Sequence, residues 1–189
     1  MRNKSVYIIT NNKSCESFFI MKLTNVVVGG QLDTVMNLCA LARQLTNVRY
    51  DPTSFSGMIW QHRKIGGNCL VFANGYINCN GSCESFQGGI KRLRRYARLL
   101  QKLGYCHTLT DVKIITASAS HRLDGKVKLE HIPFMYCYEP ELFPAIMFKR
   151  EDIHFTLHFS GALIITGIKK PKDIDDVIYP VILELAVSL

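Results

Sequence analysis

The chain has 189 residues, of which 48% are hydrophobic and 20% are charged. This composition excludes a disordered or fibrous protein and allows a sizeable globular core. Lys and Arg outnumber Asp and Glu by 23 to 15, and the excess lies in the first half of the chain. Such a basic balance favours nucleic acid or another anionic partner over an acidic substrate pocket.

The cysteines and the apolar segments indicate the cellular compartment of the protein. The seven cysteines are an odd number without a C-x-x-C pair, and Cys69 and Cys79 fall in apolar runs typical of buried strands. This usage indicates a reduced, intracellular protein. The apolar run Val6–Ile9 is too short for a signal peptide, and no segment reaches the roughly 18 apolar residues of a membrane span. We therefore expect a soluble protein that is not secreted.

The first predicted elements are strands. A short β-type run, Leu23–Val28, is followed by Gly29 and Gly30, which are typical of a strand bend. A hairpin turn is predicted at Asn74-Gly75. Three further runs have the period-2 alternation and the glycine-bounded turns of strands: Phe55–Trp60, Cys69–Gly75 and Tyr76–Gly81.

A helix is predicted next, over Ile90–Gly104, with Gly104 as its C-terminal stop. Apolar residues recur at helical spacing along one side: Ile90, Leu93, Ala97 and Leu100. Basic residues form the opposite stripe: Lys91, Arg95, Arg98 and Lys102. On composition alone, this stripe is a solvated helix face or a patch that contacts phosphates.

The second half of the chain repeats this order at a nearly constant interval. Its strands are predicted at Val112–Thr116, Phe143–Phe148, Phe155–Gly161 and Ala162–Gly167. A hairpin turn is expected at Ser160-Gly161, and a shorter helix, Asp173–Leu185, is expected to be interrupted by Pro180. Two such units predict an antiparallel sheet with helices on one face and the other face uncovered.

No catalytic pattern accompanies these elements. The chain has no G-x-S-x-G, no H-E-x-x-H and no paired carboxylates at useful spacing. We therefore expect neither an enzyme nor a cofactor. A metal site is the alternative, although it lacks finger-type ligand spacing; its candidate ligands are His154, His158, Cys69, Cys79 and Cys83.

Two segments resemble one known family. Tyr138–Pro144 is similar to the corresponding segment of eukaryotic TATA-box-binding proteins at every position, and Arg95–Gly104 is similar to their first-repeat helix. The resemblance runs from about Lys22 to Leu185. It implies an α+β fold with pseudo-two-fold symmetry, a saddle-shaped, curved, ten-stranded antiparallel sheet with helices on the convex face. The implied domains are an N-terminal extension (1–21), repeat 1 (22–104) and repeat 2 (105–189), the two repeats forming one saddle.

The resemblance also implies a mode of DNA binding. Members of the family insert two pairs of phenylalanines between base steps of the minor groove and so kink the DNA. This mechanism is implied by the resemblance to the family and does not follow from the spacing of residues in this sequence. By position, the first pair is Phe55 and Phe72. The second pair is Phe143 with His158, whose smaller, more polar ring should unstack a base step less well. Phe159 should point into the core.

Other positions on the implied groove face are also carried over by the resemblance. His154 and Thr156 should share the side of His158. Polar departures such as Asn78, Asn80 and Thr116 weaken the case for a strict TATA preference, because an apolar surface suits the minor groove of A·T pairs. The full set of implied DNA-binding residues is Asn25, Val27, Gln61, Arg63, Leu70, Asn78, Asn80, Thr116, Lys149, Ile164, Thr166 and Lys169.

The implied partners are double-stranded promoter DNA, RNA polymerase machinery and two general factors. Glu139, Glu141 and Leu142 correspond to the contact with transcription factor IIB, and the α-helical residues Arg95, Arg98 and Lys102 to a surface for a transcription factor IIA-like protein. No membrane partner is expected. The alternative for Glu139 and Glu141 is that they belong to a charged, solvent-exposed turn before the strand that begins at Phe143.

We therefore expect a transcription initiation factor that bends promoter DNA in the nucleus. If the protein is virus-encoded, we expect it in a cytoplasmic viral factory or the infected-cell nucleus. The alternative is a TATA-binding-related protein-interaction platform with weak or lost sequence-specific DNA binding. A third option, an accessory domain such as the substrate-binding module of a nuclease, is opposed by the intact Glu139–Phe143 string.

Overall fold

The computed structural model describes residues 7–9, 19–125, 132, 136–139 and 141–187. The chain divides into two compact units. The N-terminal unit is Asn25–Ile115, and the C-terminal unit is Thr116–Leu189 together with Met1–Thr24. The predicted extension 1–21 falls mostly outside the described residues, as does Pro140 of the Tyr138–Pro144 string.

The strands of the N-terminal unit form an antiparallel order β3-β4-β5-β6-β2. Their bounds are β2 (Phe19–Leu32), β3 (Val48–Arg49), β4 (Met58–Trp60), β5 (Asn68–Val71) and β6 (Tyr76–Asn80), and a three-residue strand β1 (Tyr7–Ile9) pairs with the start of β2. The turn between β5 and β6 holds Gly75 at φ +83°, which confirms the hairpin predicted there.

The C-terminal unit has its own antiparallel order, β7-β11-β10-β9-β8. The bounds are β7 (Leu109–Arg122), β8 (Cys137–Glu139), β9 (Phe143–Arg150), β10 (Ile153–His158) and β11 (Ala162–Ile168). Gly161, at φ +81°, confirms the second predicted hairpin turn. The two orders supply ten strands among the described residues, and β1 is an eleventh.

Two helices belong to the N-terminal unit, α1 (Leu38–Gln44) and α2 (Phe86–Lys102). Helix α1 was not predicted from the sequence. The predicted start of α2 at Ile90 was four residues too late, because the Oγ of Ser85 caps the helix by accepting the backbone N–H of Gly88 at 3.1 Å. The predicted end is confirmed: Gly104 has φ +92° and donates its N–H to the carbonyl of Gln101.

The apolar side of α2 packs on the sheet. Leu93, Ala97 and Leu100 are buried as predicted, whereas Ile90 is only half-buried. The close contact is made by Gly89, where a Cβ would lie 2.8 Å from Cγ1 of Val26. Only a residue without a side chain lets the helix approach β2 this closely.

Tyr96, which was not predicted as a core residue, is fully buried on the same side of α2. Its ring meets Trp60 edge-on at 5.0 Å between centroids. Its hydroxyl accepts the backbone N–H of His62 at 3.0 Å and lies 3.3 Å from the carbonyl of Gly67. Burial of an aromatic ring of this size contributes roughly 1.5–3 kcal/mol, and the hydrogen bonds satisfy its polar end.

The last helical segment corrects the prediction about Pro180. A π-helical turn, Ile174–Ile178, runs directly into helix α3 (Tyr179–Val187), which includes Pro180 in its first turn. Pro180 cannot donate a backbone N–H, and the wider turn before it closes instead on a bond from Tyr179 to the carbonyl of Ile174. The segment therefore continues through the proline.

Gly29 and Gly30 lie within the paired part of β2, and a Cβ on Gly29 would overlap the hydroxyl oxygen of Tyr76. One smaller expectation about a strand residue was wrong. Phe159 lies one residue beyond β10 and is half-buried against Tyr138, with 5.5 Å between ring centroids. It is therefore outside the strand alternation that would have sent it into the core.

Candidate nucleic-acid interface

Strand alternation gives the N-terminal unit a half-buried face on the side of the sheet away from α2. The residues Val26, Val28, Cys69, Val71, Ile77 and Cys79 are fully buried. The residues that alternate with them are only half-buried, and we call them the N-terminal open face: Asn25, Val27, Ile59, Leu70, Phe72, Asn78 and Asn80. Across this face Leu70 is in register with Asn78. The structure therefore brings together Asn25, Val27, Leu70, Asn78 and Asn80, all of which were candidates.

A pair of aromatic rings lies at one end of this face. Phe55 and Phe72 meet edge-on, with 5.8 Å between centroids and 73° between planes, and Phe55 remains 41% exposed. Gly57 is buried beneath them, and a Cβ there would be 2.8 Å from an edge carbon of each ring. The sequence analysis did not single out Gly57. The only signal for it was a glycine two residues after a candidate aromatic.

The C-terminal unit carries a second ring pair with nearly the same geometry. Phe143 and His158 meet edge-on at 5.8 Å and 69°, and Phe143 is 40% exposed. The histidine therefore takes the same position against its phenylalanine as Phe72 takes against Phe55. The two pairs differ in chemistry and not in arrangement.

A half-open surface continues from this pair along β10 and β11. We call it the C-terminal open face, and its residues are His154, Thr156, His158, Ile164 and Thr166. His154 and Thr156 alternate with buried Ile153, Phe155 and Leu157, which confirms that they share the side of His158. The neighbouring strand contributes Ile164 and Thr166, which pair with Thr156 and His154 respectively. Thr116 in β7 is half-buried. Behind the face, Phe148 and Phe155 stack at 5.0 Å with 4° between planes.

The residues at the positions expected to approach phosphates are all on the surface, but not all are free of partners within the protein. Gln61 and Arg63 lie in the exposed connection between β4 and β5, and Gln61 donates to the Oδ1 of Asn68 at 2.5 Å. In the C-terminal unit, the Nζ atoms of Lys149 and Lys169 lie 3.9 and 3.1 Å from the Asp152 carboxylate.

Asp152 is ionised at neutral pH. The hydrogen bond and positive charge of Lys169, followed by the charge of Lys149, hold the pKa of Asp152 below its usual value of 3.8. One negative charge therefore offsets part of the positive charge of two lysines. The sequence analysis counted both lysines as available cations.

The residues expected to contact protein partners are also exposed. Glu139 ends β8, and Glu141 lies in the turn before β9, where the N–H of Leu142 donates to the carbonyl of Glu139 at 3.0 Å and the Leu142 side chain is 80% exposed. Phe143 follows at once, so this turn joins an acidic, apolar tip to one of the ring pairs. On α2, the basic stripe faces solvent: Lys91, Arg95, Arg98 and Lys102.

The described residues contain no group of three or more His, Cys, Asp or Glu side chains that could hold a metal ion. Cys69 and Cys79 lie opposite each other in β5 and β6 and are buried. Burial raises the pKa of the Cys69 thiol well above its usual value, which keeps it protonated and unreactive. Within the described ranges, no helix has the length and apolarity needed to cross a membrane.

Comparison with known proteins identifies the family. Residues 20–103 and 111–186 match the sequence model of "Transcription factor TFIID (or TATA-binding protein, TBP)". The chain belongs to this TATA-binding protein family. It is 33% identical over 171 residues to TATA-box-binding protein 1 of Triticum aestivum, a match that covers 86% of this chain and 73% of the wheat protein. The TATA-box-binding protein of Acanthamoeba castellanii is 32% identical over 177 residues, 89% of this chain and 68% of that protein.

A solved structure agrees with these sequence matches. The TATA-binding protein of Methanococcus jannaschii superposes with a TM-score of 0.76 at 25% identity, covering 87% of this chain and 97% of the archaeal one. The predicted fold class, the α+β fold of this family, is confirmed. The family consists of TATA-binding transcription initiation factors that are not enzymes, and membership implies promoter DNA and the general transcription machinery as partners.

Proposed function

We propose that this protein binds promoter DNA in the minor groove and bends it, with Phe55, Phe72, Phe143 and His158 as wedges between base steps. The observation that carries this proposal is the duplicated ring pair, at 5.8 Å in each unit and with one phenylalanine about 40% exposed in each. Exposed aromatic pairs are an aggregation hazard in a protein without a partner for them. A base step is such a partner.

The energetics of wedging fit this chemistry. Unstacking a base step costs a few kcal/mol, and the cost is offset by ring burial and by the contact surface that a bend opens. The open faces next to the rings hold the proposed groove contacts, among them Val27, Leu70 and Ile164. The positive groups proposed to approach phosphates are Arg63, Lys149 and Lys169, with Gln61 beside them.

We further propose that the residues 22–104 and 105–189 are two copies of one ancestral unit, preceded by an extension, 1–21. Each copy contains a long strand, a hairpin with a turn glycine, a ring pair and a C-terminal helix, and this shared order supports the proposal. The protein would act in the nucleus, as a transcription factor of this family.

A partner surface completes the proposal. Glu139, Glu141 and Leu142 form an exposed tip that suits a transcription factor IIB-like protein with a basic and apolar surface. The stripe on α2 that contains Arg95, Arg98 and Lys102 suits an acidic partner, such as a transcription factor IIA-like protein, in a salt-sensitive contact.

The test of DNA bending uses the double variant Phe55→Ala/Phe72→Ala. Bending of an A·T-rich duplex is measured by energy transfer between end labels, and affinity by gel shift. We expect the bend to be clearly reduced, because only the Phe143–His158 pair remains, while the thermal unfolding profile stays cooperative. Leu103→Ala is the matched control, because Leu103 is a 38% exposed apolar residue outside the open face. A double variant that bends the duplex as far as the unaltered protein does would contradict the proposal.

One alternative is favoured by specific observations. The polar residues His158, Asn78 and Asn80, together with the lysines offset by Asp152, are consistent with a TATA-binding-related interaction platform whose DNA binding is weak or lost. Phosphate attraction is strongest at low salt. Retention of a IIB-like protein in a pull-down, with no duplex binding at low salt, would select this alternative.

A further inference from the structure

The N-terminal open face and its edge carry four asparagines, and their amides are not equivalent. The Oδ1 of Asn25 accepts the backbone N–H of Gly81 at 2.8 Å, and the Oδ1 of Asn68 accepts from Gln61 at 2.5 Å. The carbonyl oxygens of these two amides are therefore already occupied by donors of the protein itself. For Asn78 and Asn80, in contrast, the structure records no side-chain hydrogen bond to any described residue, so their amide groups are available to a ligand.

The position of these two amides is defined by the hairpin. Asn78 and Asn80 are the third and fifth residues after the turn glycine Gly75, and β6 presents both on the open face with buried Ile77 and Cys79 on the other side. Asn78 faces Leu70 across β5. Both amides are half-buried, so they are held by a regular strand and still accessible from outside.

The C-terminal unit has different residues at the same hairpin positions. The third and fifth residues after its turn glycine, Gly161, are Ile164 and Thr166 in β11. Ile164 is 43% exposed and carries no hydrogen-bonding group. The two open faces therefore differ at equivalent positions: one offers two amides, and the other offers a butyl group and a hydroxyl.

This difference matters in the minor groove. A·T and T·A pairs present only acceptors there, whereas a G·C pair adds the N2 amino donor of guanine. An apolar surface pressed on that donor leaves it without a partner, which is unfavourable. A side-chain amide has both a carbonyl that accepts from the guanine amino group and an NH₂ group that donates to the acceptors of an A·T pair.

We propose that Asn78 and Asn80 let the N-terminal unit accept G·C base pairs by binding the N2 amino group of guanine, whereas the C-terminal unit, through Ile164, requires A·T pairs. The preferred DNA element is then asymmetric, with G·C pairs tolerated in one half only, and this asymmetry orients the protein on the promoter. The inference rests on the proposed groove binding and specifies its sequence preference.

The test compares guanine with inosine, which lacks the 2-amino group and otherwise pairs like guanine. Single A·T pairs of an A·T-rich duplex are replaced in turn by G·C or by I·C, and the dissociation constants are measured by fluorescence anisotropy. In one half of the site we expect G·C to bind at least as tightly as I·C. In the other half, we expect G·C to bind about tenfold more weakly than I·C.

Two variants assign the halves to the units. Asn78→Val/Asn80→Val should introduce the roughly tenfold guanine penalty in the tolerant half, since valine suits a strand and cannot accept the amino group. Ile164→Asn should reduce the penalty in the other half. Thermal unfolding checks that both variants are folded, and the comparison of the two bases on the unaltered protein does not depend on either variant.

The outcomes separate this inference from the proposed function. If the unaltered protein binds and bends the A·T-rich duplex but shows the same guanine penalty in both halves, the inference is overturned and groove binding stands. If it binds no duplex even at low salt, the proposed function fails and the inference fails with it. Loss of the tolerant half in the valine variant, with the guanine penalty in the other half unchanged, would support the inference.

Discussion

The ring pair of the C-terminal unit yields a test in which DNA binding should improve. The substitution is His158→Phe. Because the pair Phe143–His158 has the same 5.8 Å separation as Phe55–Phe72, a phenyl ring at residue 158 would recreate the N-terminal arrangement. Its register partner on β9 is the small residue Ala145, which favours accommodation of the larger ring without a shift of the strands.

The expected gain follows from the polarity of the imidazole. When the ring of His158 stacks against a base, its two nitrogens lose water, and a polar group left without a partner costs about 1–3 kcal/mol. A phenyl ring avoids this cost and buries additional apolar area at about 25 cal/mol per Å². Since His158 is already half-buried in the free protein, the lower part of this range applies. About 1.4 kcal/mol corresponds to a tenfold increase in affinity.

The assay measures affinity by fluorescence anisotropy and bending by energy transfer on the same A·T-rich duplex at fixed salt. His158→Phe should bind about tenfold more tightly and bend the duplex further. The reciprocal variant, Phe72→His, should weaken binding by a similar factor. If Phe72→His weakens binding while His158→Phe changes neither affinity nor bend, residue 158 does not act as a wedge. If both variants leave binding unchanged, the ring pairs are not the wedges.

Three further predictions concern stability and charge. Gly89→Ala should lower the free energy of unfolding, measured in urea, by about 1–3 kcal/mol because the new Cβ would press on two valines of β2. The control is Gln87→Ala, at an exposed residue of the same helix, which should change the free energy of unfolding much less. Equal losses in the two variants would contradict the packing argument. Asp152→Asn should tighten DNA binding and steepen its salt dependence by releasing Lys169, and an unchanged slope would argue against phosphate contact. The backbone N–H of Thr108 donates a hydrogen bond to the carboxylate of Asp33 and lowers the pKa of Asp33 below its usual value of 3.8. The stability that the ionised Asp33 contributes is therefore present above pH 3.8 and is lost as the pH falls through the folded-state pKa. The melting temperature should therefore fall less below pH 4 in Asp33→Asn than in the unaltered protein, and parallel curves would exclude this role.

The elements that the sequence predicted best have strong local signals. The apolar stripe of α2 and its stop at Gly104 were correct because the 3.6-residue period and a left-handed glycine act over a few residues. The start of α2 was wrong because a side-chain cap at Ser85 decides it. Helix α1 was missed because seven residues provide too few turns for a periodic signal.

Pro180 shows the limit of a local rule. Proline inside a helix usually breaks or kinks it, so the sequence predicted an interruption. In the structure, Ile174, Val177 and Ile178 are buried. The π-helical turn keeps them buried and does not need the backbone N–H that Pro180 lacks, because the turn closes on the N–H of Tyr179. Tertiary burial thus outweighed the local preference, and no pattern within the segment signals this outcome.

The sequence by itself determined where the longer strands lie, which residues alternate to the open faces and which family the chain resembles, since period-2 alternation, turn glycines and the Tyr138–Pro144 string are all local. The short strands β1, β3 and β8, of two or three residues each, were not predicted, because they are too short to show a periodic pattern. Only the tertiary structure decided which polar groups remain available. The Oδ1 of Asn25 accepts a hydrogen bond from Gly81, and Lys149 and Lys169 share Asp152. These partners come from different strands and turns, and their distances depend on strand register and packing, which no local pattern encodes.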